Sequence, residues 1–223
     1  QAAAERGAPF VPAFERVSVT RVSQSLEGQV VSIESGCRDY GKLSMPLPGA
    51  HQAENLACAV AGLELLEDLL GCEIPAETYK RGIGDVVWPG RMQLLSAVPP
   101  VILDGAHNPG AALALARCLR ELARDRPLGL VLGMCGDKDV DGFLRAFGGR
   151  IRRIWPVGIE SERCAGESLA AVLRAHGLEA PVLPVMEAFE QGRSWAAEEG
   201  GLLCVTGSLF LVGEVLRKLE REG

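Results

Sequence analysis

The chain has 223 residues, of which 48% are hydrophobic, and its formal net charge is −6 at pH 7. That length and apolar content suffice for one large or two small domains with real cores. The acidic balance argues against a nucleic-acid-binding surface, which needs a basic stripe. No apolar run approaches the ~20 residues of a membrane span. We therefore expect neither a nucleic acid nor a membrane as a partner.

The cysteines and the N-terminus give the expected compartment. Seven cysteines are scattered without a Cys-x-x-Cys pair, which predicts reduced thiols, most of them in the core, in a cytoplasmic protein. The spacing also predicts no metal site on this chain. The opening QAAAERGAPF has no basic segment followed by an apolar core, so we predict no signal peptide.

The first third of the chain predicts strands followed by helices. Residues 17–47 contain short runs rich in Val, Ile, Ser and Thr, separated by turn residues, and these predict β-structure. Leucine and valine recur at three- and four-residue spacing from Ala50 to Leu70, which predicts a helix that Gly71 ends. A second helix is predicted to begin at Pro75 and to end before Gly82.

After Arg91 the pattern changes to a regular alternation. Nearly continuous apolar runs, which predict buried strands, occupy residues 101–103, 128–132, 151–157 and 202–205. Helical patterns lie between and after them, at residues 109–124, 139–147, 166–176, 186–198 and 208–221. This alternation predicts an α/β fold whose mostly parallel sheet has helices on both faces. Such sheets bind ligands at the carboxyl ends of their strands.

The segment VILDGAHNPGAA, residues 101–112, places an acid and a histidine at such an end. Asp104 follows a strand, Asn108 is a predicted N-cap, and Pro109 opens a helix. A carboxylate there suits a ribose diol, because it accepts two hydroxyl hydrogen bonds, and His107 suits a phosphate or a base. Two other interpretations stay open. Asp104 could cap the turn while His107 bonds a backbone carbonyl, or the two could contribute metal ligands.

Three other segments begin helices with polar residues. VLGMCGDKDVDGF places Asp137, Lys138 and Asp139 at a helix start, typical of an acidic first turn with a solvated lysine. CVTGSLFLVGEVL makes Ser208 a predicted N-cap, and its backbone could also hold an anion. PGAHQAENLACA brings Asn55 and the glutamine three residues before it to one helix face. The sequence has no GxxxxGK[ST] phosphate loop and no GxSxG nucleophile elbow.

Five segments in this order resemble one known family: LPGAHQAENLACAVAGLELL, WPGRMQLL, VILDGAHNPGAALALARCL, GMCGDKD and VTGSLFLVGEV. They are similar to the C-terminal half of the folylpolyglutamate synthase/dihydrofolate synthase family, a branch of the Mur-ligase-like amide ligases. The resemblance implies that residues 1–86 are the end of the central ATPase domain. Residues 87–91 would then be a linker, and 92–223 a Rossmann-like glutamate-ligase domain.

The resemblance also implies roles for particular residues. In similar enzymes the asparagine of the HQxxN helix, the arginine of WPGR and the aspartate of DGAHNP contact ATP. These residues correspond here to Asn55, Arg91 and Asp104. By the same resemblance, His107 is the catalytic candidate beside the nucleotide and the incoming glutamate, and Ser208 lies near the same cleft.

The family reaction is the ATP-dependent ligation of L-glutamate to a folate or dihydropteroate carboxylate through an acyl phosphate. The resemblance implies Mg²⁺ as a cofactor, with its ligands and the phosphate loop in an N-terminal region that precedes the part matched here. We therefore expect this chain to be a fragment, inactive alone, of an enzyme that acts as a cytoplasmic monomer. A non-catalytic nucleotide-binding module of the same fold stays an alternative, as does a Mur-like amide ligase with another substrate.

Overall fold

The computed structural model describes residues 2–135, 137–160 and 166–222. Contacts along the backbone divide the chain into two compact units, Gln1–Val87 and Trp88–Gly223. The predicted linker therefore contributes Val87 to the first unit and residues 88–91 to the second. Among the described helices, none combines the length and the apolar character needed to cross a bilayer.

The first unit packs helices on a small antiparallel sheet whose strands pair in the order β1-β2-β3. Its elements are α1 (Ala2–Glu5), α2 (Ala13–Arg16), β1 (Val17–Gln24), β2 (Gln29–Ser35), β3 (Asp39–Met45), α3 (Ala50–Leu70) and α4 (Ala76–Gly84). Val31 and Ile33 in the central strand are fully buried and share a core with Leu56 and Val60 of α3. The alternation of β2 and the helical spacing of α3 thus bury their apolar residues against each other.

The helix boundaries of this unit follow their predicted signals, with one difference. The α3 helix spans the predicted residues and ends at Gly71, whose left-handed φ of 61° suits a glycine cap. The α4 helix, predicted to end before Gly82, continues to Gly84. Ile83 packs against the core of the unit, so burial of its side chain outweighs the low helix propensity of the flanking glycines.

Two glutamates of α3 point into this unit, where each accepts a hydrogen bond from a tyrosine hydroxyl and pairs with an arginine. Glu64 is buried; it accepts a 2.8 Å hydrogen bond from the Tyr40 hydroxyl and pairs with Arg16 at 3.0 Å. Burial and the hydrogen bond to Glu64 raise the pKa of Tyr40. Because the tyrosine stays protonated, it remains a donor to the carboxylate.

Glu67, one turn further along α3, links this helix to α4 and to the segment before α4. It accepts hydrogen bonds from the backbone N–H of Ile74 and, at 2.9 Å, from the Tyr79 hydroxyl. Arg38 lies 3.6 Å from the same carboxylate. The Ile74 hydrogen bond, with Tyr79 and Arg38, lowers the pKa of Glu67. Burial and the bond to Glu67 raise the pKa of Tyr79 to about 12.

The second unit is a five-stranded sheet in the order β4-β5-β8-β6-β7. Its elements are β4 (Gln93–Ala97), β5 (Pro100–Leu103), α5 (Pro109–Ala123), β6 (Leu128–Leu132), α6 (Val140–Arg145), β7 (Ile151–Pro156), α7 (Gly166–Ala175), α8 (Val185–Glu198), β8 (Leu202–Thr206) and α9 (Leu209–Glu222). The β4–β5 pair is antiparallel, and the other three pairs are parallel. The predicted α/β class with a mostly parallel sheet is confirmed.

The three central strands β5, β6 and β8 are buried along their whole length. Val101 and Leu103 of β5 share a core cluster with residues of α8 and α9. Ile102, which points to the other face, is equally buried. Because both faces of the sheet are covered, the sequences of these strands are nearly continuous apolar runs.

Two features of the second unit differ from the sequence prediction. The edge strand β4 was not predicted, because its residues are only partly buried and lack a clear alternation. The α6 helix ends at Arg145 and not at residue 147. Gly148 and Gly149, just beyond it, adopt left-handed φ values of 56° and 76°, which suits the chain reversal before β7.

The cysteine prediction is partly wrong. Of the described cysteines that form no disulfide, Cys118 and Cys204 are buried, but Cys37, Cys58 and Cys72 are exposed. Cys135 is disulfide-bonded and not a reduced thiol. The scattered spacing in the sequence carries no information about which cysteines approach one another in space.

We expect Glu67→Gln to destabilise the first unit by about 1–3 kcal/mol, because a charged acceptor is lost from buried donors. Since folding lowers the pKa of Glu67, its contribution is complete above the unfolded value near 4.5 and is lost as the pH falls through the lower folded value. The difference between wild type and variant should therefore shrink below about pH 4.5.

The two tyrosines, Tyr40 and Tyr79, both lie in the first unit, whereas all three tryptophans lie in the second. Thermal unfolding followed by tyrosine near-UV circular dichroism therefore reports the first unit. Tryptophan fluorescence serves as the internal control. A wild-type-minus-variant difference that stays constant from pH 7 to pH 3 would contradict the prediction.

Candidate functional site

The candidate site lies where β5 and β8 end side by side at the carboxyl edge of the parallel sheet. Leu103 of β5 pairs with Val205 of β8. Asp104 follows the first strand directly, and Ser208 lies just beyond the second. Polar residues that are distant in sequence are therefore brought to one edge, as expected for a sheet of this class.

Asp104 and Ser208 are the most deeply buried of the predicted site residues in this unit, each with 6% of its surface exposed. Asp104 Oδ2 accepts a hydrogen bond from the backbone N–H of Met92, and its Oδ1 accepts one from that of Ala106, both at 2.9 Å. Its own N–H donates to the carbonyl of Val205 at 3.0 Å. The carboxylate thus joins the segment before β4 to the turn after β5, and the backbone N–H of the same residue joins them to the end of β8.

The charge of Asp104 also acts on the neighbouring strand. Cys204 of β8 is fully buried, and burial raises the pKa of its thiol, with a further rise from the negative charge of Asp104. The thiol therefore stays protonated at neutral pH. A protonated thiol adds no second negative charge beside the carboxylate.

Arg91 is held beside the backbone of Gly105, the residue that follows Asp104. The N–H of Gly105 donates to the carbonyl of Gly90 at 2.9 Å, and Arg91 Nη1 donates to the same carbonyl at 3.2 Å. A Cβ atom on Gly105 would lie 2.9 Å from Arg91 Nη1 and 2.2 Å from Leu209 Cδ2. The guanidinium also stacks near the Trp88 ring, 5.9 Å from its centroid. Gly105 is therefore required for the close approach of the arginine.

His107 is exposed at the start of α5, and its ring orientation is fixed by one hydrogen bond. Its Nδ1 lies 2.9 Å from the carbonyl oxygen of Gly105. Because a carbonyl only accepts, Nδ1 carries the proton in this bond, and the neutral ring keeps the lone pair on Nε2. The hydrogen bond from His107 to a backbone carbonyl, one of the interpretations that the sequence allows, is thus present. It leaves Nε2 with its lone pair at the sheet edge.

The helix after this turn begins as predicted. Asn108 is the N-cap of α5, and its Oδ1 accepts a hydrogen bond from the N–H of Ala111 at 2.9 Å. Pro109 occupies the first turn. This cap fixes the direction in which the chain leaves the sheet edge, and so it positions the preceding histidine.

Ser208 caps α9 on the neighbouring strand. Its Oγ accepts a hydrogen bond from the N–H of Phe210 at 3.0 Å, which is the predicted capping role. Gly207, with a left-handed φ of 103°, donates its N–H to the carbonyl of Ala106 at 2.9 Å. The turn after β8 is thereby attached to the turn after β5, so Ser208, Asp104 and His107 belong to one cluster of turns.

Asn55 lies in the first unit, whereas the other four predicted site residues lie in the second. It is exposed in the second turn of α3, and its Nδ2 donates to Gln52 Oε1 at 3.1 Å. This bond confirms that the two residues share a face of the helix. Buried Gln52 thus orients the amide of Asn55.

The residues that fix the start of α3 were not predicted from the sequence. Gln29 is buried in β2, and its Nε2 donates to the carbonyls of Leu47 and Gly49 at 2.7 and 2.9 Å. The Gln24 side chain accepts from the N–H of Gly49 at 3.1 Å. The available signal was a glutamine that begins a run of Val and Ile, since a polar residue in a buried strand needs a partner.

The acidic residues before α6 form an ordinary helix start, as the sequence predicts. Asp139 is the N-cap, and its Oδ1 accepts from the N–H of Gly142 at 2.7 Å. Lys138 pairs with exposed Asp137 at 2.9 Å.

No cluster of three or more His, Cys, Asp or Glu side chains within residues 2–135, 137–160 and 166–222 is arranged to hold a metal ion.

The chain is similar to a known family domain, to a curated relative and to solved structures. The profile described as Mur ligase, glutamate ligase domain matches residues 90–209. A dihydrofolate synthase/folylpolyglutamate synthase of Mycobacterium tuberculosis is 35% identical over 133 residues, which are 58% of this chain and 27% of the relative. The profile match covers more than half of the chain and includes the whole candidate site of the second unit.

Two solved structures match nearly the whole chain. Mycobacterium tuberculosis folylpolyglutamate synthase complexed with ADP has a TM-score of 0.79 at 30% identity, over 97% of this chain and 50% of that one. Escherichia coli FolC in complex with DHPP and ADP has a TM-score of 0.78 at 26% identity, over 99% and 50%. The chain therefore spans half the length of these solved relatives.

We expect Asp104→Asn to lower the stability of the second unit by about 1–3 kcal/mol, because the amide group has one acceptor oxygen for two backbone donors. Urea unfolding followed by tryptophan fluorescence measures the change, since the three tryptophans lie in this unit. Asp125→Asn, at an exposed turn, is the matched control. Equal unfolding midpoints for the two variants would show that the carboxylate is not the tie described above.

Proposed function

Because the chain belongs to the Mur ligase family through its glutamate ligase domain, we propose that it is the C-terminal half of an ATP-dependent amide ligase. The ligase joins L-glutamate to the carboxylate of a folate or a dihydropteroate. The observation that carries the proposal is the match of 97% of the chain to half of a folylpolyglutamate synthase solved with ADP. The clustering of Arg91, Asp104, His107 and Ser208 at one sheet edge supports it.

The proposed reaction has two steps. In the first, an oxygen of the acceptor carboxylate attacks the γ-phosphorus of ATP, ADP leaves, and an acyl phosphate forms. In the second, the glutamate nitrogen attacks the acyl carbon, inorganic phosphate leaves, and the nitrogen gives up a proton as the amide forms. Catalysis of the first step consists mainly of positioning and of neutralising phosphate charge.

Arg91 is the group of this chain suited to the phosphates. Its guanidinium keeps its charge at every relevant pH, and its planar donors match phosphate oxygens. The Gly90 carbonyl and the Trp88 ring restrict its position. Asp104 fixes the adjoining backbone at Met92, so the arginine is preorganised before the nucleotide arrives.

His107 is the group suited to the second step. Nε2 carries the lone pair of the neutral ring, because Nδ1 is bonded to the Gly105 carbonyl. We assign Nε2 as the acceptor of the proton that the glutamate amine loses. Ser208, in the adjoining turn, is assigned to the same cleft.

Asp104 and Asn55 are assigned to the nucleoside end of ATP. A carboxylate offers about four acceptor positions, so Asp104 can receive a ribose hydroxyl in addition to its two backbone donors. Asn55 presents an exposed amide, which can donate and accept on a nucleotide.

Mg²⁺ belongs to the proposal with its ligands in the half of the ligase that this chain does not contain, and the described residues here form no group of three or more metal-ligating side chains. No step is therefore assigned to a metal held by this chain. Five of the six described cysteines form no disulfide, Cys135 being the exception, and this majority favours the cytoplasm as the compartment of the proposed ligase.

The decisive assay uses the full-length product of the gene, with ATP, L-glutamate and either dihydropteroate or folate. We expect ADP release that requires both glutamate and the acceptor, and a product heavier by one glutamyl residue. ADP release that needs no glutamate, or none with any acceptor, would contradict the proposed function.

The 223-residue chain by itself is expected to form no product under the same conditions, because its sequence contains no phosphate loop. Mass spectrometry of the acceptor measures this, with the full-length protein as the positive control. Glutamylated product from the purified chain would refute the proposal that it is a catalytically incomplete half.

We expect Arg91→Ala in the full-length enzyme to reduce kcat/KM for ATP by about 100-fold or more, because a fixed charge on the phosphates is lost. Arg91→Lys should recover part of it, since the charge remains but the planar donors do not. Arg193→Ala is the control, because that arginine is exposed and pairs with Glu190 on α8. Equal kinetics for the two alanine variants would remove Arg91 from the site.

A further inference from the structure

Arg91 lies between two residues that both have a left-handed backbone conformation. Gly90 has a φ of 72° and Met92 a φ of 45°. Glycine enters this region freely, whereas methionine does so at a steric cost. Such a conformation persists only where the surrounding structure enforces it, and it occurs preferentially at functional sites. The backbone on both sides of the candidate phosphate ligand is therefore held by contacts from elsewhere in the unit.

Two contacts hold the residue after Arg91. The Met92 side chain is buried, with 1% of its surface exposed. Its N–H donates to Asp104 Oδ2 at 2.9 Å. Burial of the side chain and the backbone hydrogen bond together outweigh the steric cost of the left-handed conformation. The direction in which the chain leaves Arg91 is thus fixed.

Gln93 holds the residue before Arg91. Its Oε1 accepts a hydrogen bond from the N–H of Gly90 at 2.9 Å. The Gly90 carbonyl in turn accepts from Arg91 Nη1 at 3.2 Å and from the Gly105 N–H at 2.9 Å. A Cβ atom on Gly90 would lie 3.1 Å from Val212 Cγ1, so this glycine also packs closely against α9. The glutamine therefore fixes the residue whose carbonyl receives the guanidinium.

Gln93 can transmit the position of the sheet to the arginine because its own backbone belongs to the sheet. It is the first residue of β4, is partly buried and pairs with Leu103 of β5. A side chain that a strand carries is held more precisely than one on a loop. Its acceptor is a neutral amide, so it orders Gly90 without adding a negative charge beside a phosphate site.

We propose that Gln93 is a positioning residue that holds Arg91 ready for the phosphates of ATP. The identity of the ligand comes from the proposed function, on which this proposal rests. The bond from Arg91 to Gly90 uses one guanidinium donor, so the remaining donors can face phosphate oxygens. An arginine that is ordered before binding loses less conformational freedom when the phosphates arrive. Loss of the Gln93 acceptor therefore weakens nucleotide binding through Arg91 alone.

The test is a double-mutant cycle in the full-length enzyme, with the affinity for the non-hydrolysable ATP analogue AMPPCP measured by calorimetry. Gln93→Met keeps the length of the side chain but removes its amide acceptor. We expect it to raise the Kd by about 10-fold, the effect of losing one hydrogen bond that orders a charged group. In an Arg91→Ala background the same substitution should change the Kd by less than about 2-fold, because the group that Gln93 positions is absent.

Gln191→Met is the matched control, because Gln191 is an exposed glutamine on α8 whose side chain donates to Glu187. It should leave the Kd for AMPPCP unchanged. Urea unfolding followed by tryptophan fluorescence verifies that each variant is folded. Gln93→Ala, which removes the acceptor together with most of the side chain, repeats the cycle and should show the same dependence on Arg91.

Other outcomes would overturn the proposal. If Gln93→Met has equal effects in the two backgrounds, or none in either, the glutamine acts independently of Arg91 or not at all. Coupled effects on AMPPCP binding without any glutamate ligation would contradict the proposed function alone. Ligation with uncoupled effects would contradict the role of Gln93 alone, and a wild-type enzyme that does not bind AMPPCP would contradict both.

Discussion

The second unit depends on one carboxylate that accepts two backbone hydrogen bonds. Asp104 joins the N–H groups of Met92 and Ala106 at 2.9 Å each, and these belong to segments on either side of β4 and β5. Without a buried acceptor both donors would remain unsatisfied, at a cost of about 1–3 kcal/mol each. The position of Arg91 and the bend that carries His107 both follow from this tie.

In the proposed function, a structural role and a nucleotide-binding role coincide in Asp104. The turn-forming bonds that the sequence offered as an alternative for Asp104 and His107 are both present. They do not compete with ligand binding, because they fix the atoms that would face a ligand. Preorganised groups of this kind cost no rearrangement when charge develops in a reaction. A substitution at Asp104 therefore perturbs folding and binding together, whereas Arg91 and His107 permit cleaner tests.

The first unit is organised around α3, which carries acids on its inner side and leucines on its outer side. Tyr40 and Tyr79 make this possible by donating their hydroxyls to Glu64 and Glu67. The consequence is a helix that contributes to the core of this unit and also presents an apolar surface.

The sequence by itself determined the α/β class, the helices and central strands of the second unit, and the α3 helix with its glycine cap, because burial on both faces and helical periodicity are local patterns. It also identified Asn108 and Ser208 as caps. Only the tertiary structure decided the edge strand β4, the continuation of α4 through Ile83 and the loop-holding role of Gln29, since each depends on contacts between distant segments. The leucine spacing of α3 predicted a helix but not its orientation, because leucines lie on two faces and the partners of Glu64 and Glu67 are far away in sequence.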